Sequence, residues 1–200
     1  MKLADELLPF FVGRSIVRQL RVRIGLQRRK WEQGNPLDSS WNKYRQLTED
    51  ALKESLRSEL YRRELMHRRG QAFLGSVAVM SAFTIGATGL FGRSAHVIPV
   101  WVLGAAILAP LPYLLGAVWF ALRIVKPEEL CDLYLQARMP GGEVVVDDSL
   151  KDVILNAIQL NQAYNLLFAT YSSRSYRCIR NGIVCLVVAL VLLVVDAILV

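Results

Sequence analysis

The chain has 200 residues, of which 54% are hydrophobic and 20% are charged, and its formal net charge is +7. Its charges are concentrated outside three long apolar stretches, residues 72–91, 97–122 and 182–200. This distribution excludes both a compact water-soluble domain and a chain made only of membrane spans.

The three apolar stretches have the length of membrane spans. They contain 19 to 26 residues each, and a helix needs roughly 20 residues to cross a hydrocarbon layer. Threaded through a membrane in order, they leave 23 of the 24 Lys and Arg residues on one side and only Arg93 on the other. Because positive loops stay inside, we expect a multi-pass protein of the inner (plasma) membrane with a cytoplasmic N-terminus and an external C-terminus.

The predicted fold class is therefore all-α: an integral membrane protein with three transmembrane helices and long cytoplasmic helices that form a stalk or bundle. Five segments follow from this reading. They are a basic amphipathic N-terminal arm (1–35), a charged cytoplasmic helix (36–70), a transmembrane helical hairpin (71–122), a cytoplasmic helical region (123–181) and a C-terminal transmembrane helix (182–200).

The N-terminal arm combines an apolar line with many positive charges. The apolar line is Val12, Ile16, Leu20 and Ile24. The positive residues that we expect to contact lipid headgroups are Arg14, Arg18, Arg21, Arg28, Arg29 and Lys30. This pattern predicts a helix in the membrane surface, bound to anionic lipid headgroups; a solvated or partly disordered arm is the alternative. Lipid accounts for the basic excess, so we do not expect a nucleic-acid partner.

A helix is predicted from about residue 41 to residue 69, with Asp38, Ser39 or Ser40 as its N-cap. It has one narrow apolar strip, which requires one partner helix. The strip consists of Leu47, Ala51, Leu52, Leu56 and Leu60. No proline separates this helix from residue 72, so we expect one continuous rod into the first span.

Small and hydroxyl residues dominate one side of the first span. They are candidates for helix packing or for a polar path between assembled copies, and they comprise Ala78, Ala82, Gly86, Ser81, Thr84 and Thr88. In the second span, Pro110 and Pro112 each lack a backbone donor and should bend the helix.

The region after the second span is predicted to contain a short helix over 127–139, an extended stretch over 143–146 and then a stalk helix of about 30 residues joined to the third span. The stalk has a heptad-like seam, beside which Asn156, Asn161 and Asn165 fix the register between helices. The predicted stalk interface consists of Leu150, Val153, Ala157, Leu160, Asn161, Tyr164, Leu167 and Tyr171.

Polar residues mark both ends of the third span. Asp196 is the one acid within the three stretches, so it is a candidate for a pore or proton role, although its place four residues from the end also fits an interfacial residue. Arg174, Arg177 and Arg180 should contact headgroups at the inner boundary.

Catalytic patterns are missing from the sequence. It contains no glycine-rich phosphate loop, no nucleophile elbow and no paired CxxC motif. Glu64 and His67 have the ExxH spacing of helical metal sites, but the second pair that such a site needs is lacking. We therefore predict no catalytic residue, no metal, no cofactor and no enzymatic activity.

The arrangement resembles the bacterial SLATT-type membrane proteins, small effectors of nucleotide-signalling conflict systems. The resemblance covers about residues 40–200 and rests on Tyr61-Arg62-Arg63-Glu64 before two close spans, followed by a helical region with Asn161 and Tyr164. It implies a homo-oligomeric defence effector that perturbs the membrane or forms a pore when a cytoplasmic signalling protein acts on it. The alternative is a membrane-anchored adaptor that docks a soluble partner through residues 150–178.

Overall fold

The computed structural model describes residues 14–32, 44–91, 96–125 and 147–200. Within these ranges the regular structure is helical and contains no strand, which confirms the all-α class. The described helices are α1 (Arg14–Glu32), α2 (Glu49–Phe91), α3 (Val100–Leu108), α4 (Leu111–Val125) and α5 (Asp147–Leu199). The helix and the extended stretch predicted over 127–139 and 143–146 lie outside the described residues.

The first long helix, α2, begins at Glu49 rather than near residue 41. Thr48 supplies the cap, since its Oγ1 accepts a hydrogen bond from the Ala51 N–H at 3.4 Å and its carbonyl accepts one from the Leu52 N–H at 3.1 Å. Glu49 and Asp50 then place negative charge at the positive end of the helix dipole. The caps predicted at 38–40 lie outside the described residues.

Both long helices are continuous, as their sequences predict. α2 has 43 residues and α5 has 53, and neither contains a proline. The second span differs, because it divides into α3 and α4 around Ala109 and Pro110. Pro110 and Pro112 have no N–H to donate, and the helix is interrupted at the position where the sequence predicts a bend.

Three helical segments are long and apolar enough to cross a membrane: α2, the α3–α4 segment and α5. Their outward side chains include many large apolar residues, and exposing such a surface to water is unfavourable. Examples with more than half of their surface exposed are Phe83, Ile85, Trp101, Leu115, Trp119, Val187, Val191 and Ile198. The side of the membrane that each end occupies stays a prediction.

The chain divides into two compact units. The described part of the apolar unit comprises 68–91, 96–125 and 171–200, and that of the charged unit comprises 14–32, 44–67 and 147–170. In the apolar unit, the rings of Phe120 and Tyr171 stack with centroids 6.3 Å apart, and the Ser175 hydroxyl donates to the Ala117 carbonyl at 3.1 Å. These contacts join α4 to α5.

The core of the charged unit joins α2 to α5. It consists of Leu52, Leu56, Ile154, Leu155, Ala157 and Ile158, each at most 4% exposed. Arg45 adds an ion pair with Asp152 at 2.9 Å. The partner that the predicted apolar strip requires is therefore α5. Leu60 of α2 and Leu47, which precedes α2, nevertheless stay 41% exposed, and Ala51 is exposed as well.

Candidate functional site

Asp196 anchors the turn that precedes α3. Its carboxylate is only 2% exposed, and Oδ1 accepts hydrogen bonds from the backbone N–H groups of Val97 at 2.9 Å and Ile98 at 2.7 Å. Its Oδ2 lies 2.6 Å from Nδ1 of His96. We call residues 96–98 the 96–98 turn; all of its bonds to Asp196 lie within the apolar unit.

The local sequence explains why this turn needs an external acceptor. Pro99 is the N-cap of α3, and its side chain accepts no hydrogen bond from the helix. The N–H groups of Val97 and Ile98 precede the helix, so Asp196 of α5 satisfies them instead. An ionised carboxylate only accepts, so Nδ1 of His96 carries the proton in this arrangement. Because both oxygens are engaged, the geometry favours an interfacial anchor over a residue that lines a polar path.

A signal for this pair is present in the sequence, although sequence reasoning missed it. Asp196 is the one acid within the apolar stretches, and His96 is placed by the same reading in the same external region. A buried carboxylate needs hydrogen-bond donors. His96 supplies one of them, and the two backbone N–H groups between His96 and Pro99 supply the others, because they precede the helix and have no helical acceptor. The separation of 100 residues is what hides the pairing.

Most of the small and hydroxyl residues predicted on the first span lie on its outward side, whereas Thr84 is buried at 7% exposure. Ala78, Ala82 and Gly86 are exposed, and a Cβ added at Gly86 would meet no atom within 4 Å. The hydroxyls of Thr84 and Thr88 donate to the carbonyls of Met80 and Ile85 of their own helix. Ser81 is half-buried. Helix packing through this face, or a polar path along it, stays a prediction.

Close helix contacts in the apolar unit occur at other glycines. A Cβ on Gly70 would lie 2.9 Å from Cγ2 of Val125 and 3.1 Å from Cγ2 of Ile124. A Cβ on Gly182 would lie 3.0 Å from Cε of Met80. Val125 and Ile124 are β-branched and stiff, whereas the end of Met80 can move. Gly70 is therefore the tighter of the two contacts.

We expect Gly70→Ala to destabilise the apolar unit by about 1–3 kcal/mol, because the added methyl overpacks the contact with α4. Gly75→Ala is the matched control, since a Cβ there meets nothing within 4 Å and helix propensity favours alanine. Thermal unfolding in detergent measures both. A Gly70→Ala protein as stable as the control would contradict the close contact.

The predicted stalk interface is largely buried inside this chain. Ala157, Leu160, Asn161, Tyr164 and Leu167 are buried in the charged unit, and Tyr171 is buried in the apolar unit. Val153 is half-buried, and the side chain of Leu150 lies outside the described part. The seam is thus occupied by the chain's own packing.

Next to the apolar cluster of the charged unit lies a buried polar layer, which we define as Glu59, Asn161 and Asn165. Nδ2 of Asn165 donates to Oε2 of Glu59 at 2.8 Å and to the Glu59 carbonyl at 3.0 Å. Asn161 donates only to the Ala157 carbonyl of its own helix, at 2.9 Å. The Oδ1 atoms of both asparagines are buried and accept no hydrogen bond from the protein.

The predicted headgroup residues fall into two groups. In α1, Arg18, Arg21 and Arg29 are exposed, while the side chains of Arg14, Arg28 and Lys30 lie outside the described part. In α5, the Arg174 guanidinium lies 5.6 Å from the centre of the Phe120 ring, Arg180 bonds the Asn181 side chain at 3.3 Å, and Arg177 is half-buried. Their lipid contacts stay predictions.

Among the described residues, no group of three His, Cys, Asp or Glu side chains is arranged to hold a metal ion. Cys178 is fully buried. The chain matches no protein-family model, no curated protein and no solved structure. The function must therefore be argued from the geometry.

Proposed function

We propose that this chain is a non-enzymatic membrane protein that assembles into oligomers and perturbs the membrane or forms a pore under the control of its cytoplasmic helices. The observation that carries the proposal is the outward face of α2 between residues 75 and 89. On that face Ala78, Ala82 and Gly86 are exposed beside the larger Val79, Phe83 and Ile85, and a Cβ added at Gly86 would meet no atom within 4 Å. The inward face of the same segment is filled by Val77, Met80, Thr84 and Ala87.

A face of small residues suits a second helix of the same kind. In lipid, helices associate by close backbone contact and van der Waals packing, which alanine and glycine permit. Both helices expose large apolar side chains to their surroundings, among them Phe83 and Ile85 of α2 and Val187 of α5. On α2 the exposed row Ala78, Ala82 and Gly86 lies among these large side chains, and this row supports self-association through α2. The resemblance to SLATT-type effectors points to the same class of function.

The continuous helices provide a route for control. α2 and α5 each extend without a break from the charged unit into the apolar unit. Sharp kinks occur at proline, at Gly/Ser pairs, at bulges or at inserted groups. Neither helix contains a proline, and α2 is helical without interruption through its Gly75–Ser76 pair. A change in the pairing of α2 with α5 in the charged unit would therefore alter the same two helices in the membrane.

We expect Ala82→Leu to reduce both self-crosslinking and dye leakage from proteoliposomes about tenfold, because the added bulk obstructs close approach of two copies. Ala105→Leu is the matched control, since Ala105 is exposed on α3 outside the small-residue face. Unchanged crosslinking in Ala82→Leu would contradict the interface. Oligomers that form without leakage would contradict the membrane-perturbing role and leave an anchor.

The adaptor alternative requires a soluble partner to dock on 150–178. The burial of Leu160, Tyr164 and Leu167 means that a partner must first displace packing within the charged unit. A photo-crosslinker at Leu166, which is 55% exposed, separates the two hypotheses in cells. Capture of copies of this chain supports the effector, whereas stoichiometric capture of one foreign chain supports the adaptor.

A further inference from the structure

The basic helix α1 has two different apolar faces. Leu20 and Ile24 are buried, at 8% and 6% exposure, whereas Val22 and Leu26 are 56% and 54% exposed. At 3.6 residues per turn, these two pairs lie on opposite sides of the helix. The inward pair packs within the charged unit, and the outward pair has no such role.

Arginines frame the outward pair. On the helix surface Arg18 lies one turn before Val22, and Arg23 and Arg29 lie three residues before and three residues after Leu26; all three are exposed. No acidic residue occurs in α1 before Glu32. Lys53 of α2, by contrast, pairs with Glu49 one turn away. The outward face of α1 therefore carries a positive charge that its own helix does not neutralise.

We propose that this outward face, Val22 and Leu26 framed by Arg18, Arg23 and Arg29, lies on the anionic headgroup surface of the membrane that holds the apolar segments. Aliphatic side chains enter the boundary of the acyl chains, and arginine stems extend along them to reach phosphate groups. A nucleic acid would neutralise the arginines but would leave Val22 and Leu26 facing a polar backbone. The combination favours a lipid surface.

This inference reassigns the residues that contact lipid. The sequence pattern predicts that Val12, Ile16, Leu20 and Ile24 face the bilayer. The structure places Leu20 and Ile24 inside the charged unit and leaves Ile16 53% exposed, while Val12 lies outside the described residues. Val22 and Leu26, which that pattern does not include, become the inserted side chains. The proposal rests on the membrane insertion assumed in the proposed function, and its test must report that insertion separately.

The test uses the full-length chain in nanodiscs, with its three native cysteines replaced and a single spin label introduced by Val22→Cys. Discs of phosphatidylcholine are compared with discs that also contain phosphatidylglycerol. In the anionic discs we expect the label to become accessible to oxygen and protected from a water-soluble relaxant. A label introduced by Arg57→Cys, an exposed site of the charged unit, should stay accessible to the relaxant in both.

Charge substitutions make the test specific. Arg18→Gln should lower the ratio of inserted to free α1 about fivefold, because the attraction of one basic residue to an anionic surface changes the binding equilibrium by about that factor. Arg57→Gln, which removes the same charge elsewhere in the unit, should leave the ratio unchanged. An equal fall in both variants would mean non-specific charge attraction and would overturn the proposal.

Two further outcomes would also overturn it. A Val22 label that stays water-accessible in anionic discs excludes the lipid contact, and protection by a short oligonucleotide instead would assign the face to nucleic acid. A label introduced by Val187→Cys, on the exposed side of α5, reports membrane insertion. If the Val187 label is buried in lipid while the Val22 label is accessible to the water-soluble relaxant, only this inference fails. If both labels are accessible to the relaxant, the assignment of the chain to a membrane fails as well.

Discussion

Replacing Asp196 by leucine is expected to release the 96–98 turn, so that the amides of Val97 and Ile98 exchange with solvent roughly tenfold faster or more. Leucine offers no acceptor, and it therefore removes both backbone hydrogen bonds and the contact with His96. Hydrogen exchange of the full-length chain in detergent measures the effect directly, and thermal unfolding of the same samples should show a lower midpoint.

The isosteric variant Asp196→Asn separates an anchoring role from a proton role. Both backbone N–H groups bind the single atom Oδ1, so an asparagine oxygen in that position keeps them. The amide nitrogen then faces Nδ1 of His96, which can accept if the imidazole is neutral and its proton is on Nε2. We therefore expect Asn to retain most of the protection that Leu loses.

Leakage from proteoliposomes distinguishes an anchoring role of Asp196 from a proton or pore role. If Asp196 carries protons or lines a pore, Asp196→Asn should abolish leakage although the 96–98 turn stays protected, because the ionisable group is gone. If Asp196 is an anchor, Asn should leak like the wild type. His96→Ala, which removes one contact and spares both backbone bonds, should fall between Asn and Leu in exchange rate. Equal protection in wild type and Asp196→Leu would contradict the anchor.

The sequence contains enough information for the helices but not for their contacts. Uninterrupted apolar stretches predict the three candidate spans, and the absence of proline predicts the continuity of α2 and α5. The start of α2 at Glu49 depends on a hydrogen bond of Thr48. Thr48 is one of several residues in that region able to cap a helix, and composition does not choose between them.

Contacts between distant segments were harder to predict for a physical reason. A glycine that packs tightly, Gly70, and a glycine with open space, Gly86, belong to the same helix, and only the position of α4 distinguishes them. Similarly, the periodicity of α1 identifies Leu20 and Ile24 as apolar neighbours without telling whether protein or lipid covers them. Burial answers that question, and it depends on residues far away in the chain.

The second large expected effect concerns the stability of the charged unit. Substitutions of Asn161 and Asn165, two asparagines of the polar layer that lie one turn apart, should change this stability in opposite directions. We expect Asn165→Leu to destabilise the charged unit by about 2–3 kcal/mol, because the buried Glu59 carboxylate loses a hydrogen-bond donor at 2.8 Å. The Arg62 guanidinium, at 3.5 Å and largely exposed, does not replace that donor.

Asn161→Leu should instead be neutral or stabilise the unit by about 1–2 kcal/mol. Its Oδ1 is buried without a protein donor, and its Nδ2 binds only the Ala157 carbonyl of its own helix. Leucine has a similar branched outline and no polar atoms to desolvate. Thermal unfolding in detergent, with hydrogen exchange over residues 154–167, measures both variants on the same scale.

Glu59→Gln is the control that links these results to the carboxylate. Glutamine keeps an acceptor for Asn165 and removes the charge, so it should destabilise less than Asn165→Leu does. In the double variant Glu59→Leu with Asn165→Leu, no buried charge remains, and much of the lost stability should return. If Asn161→Leu and Asn165→Leu destabilise equally, the asparagines contribute only shape, and the Glu59–Asn165 contact does not set the register of α2 against α5.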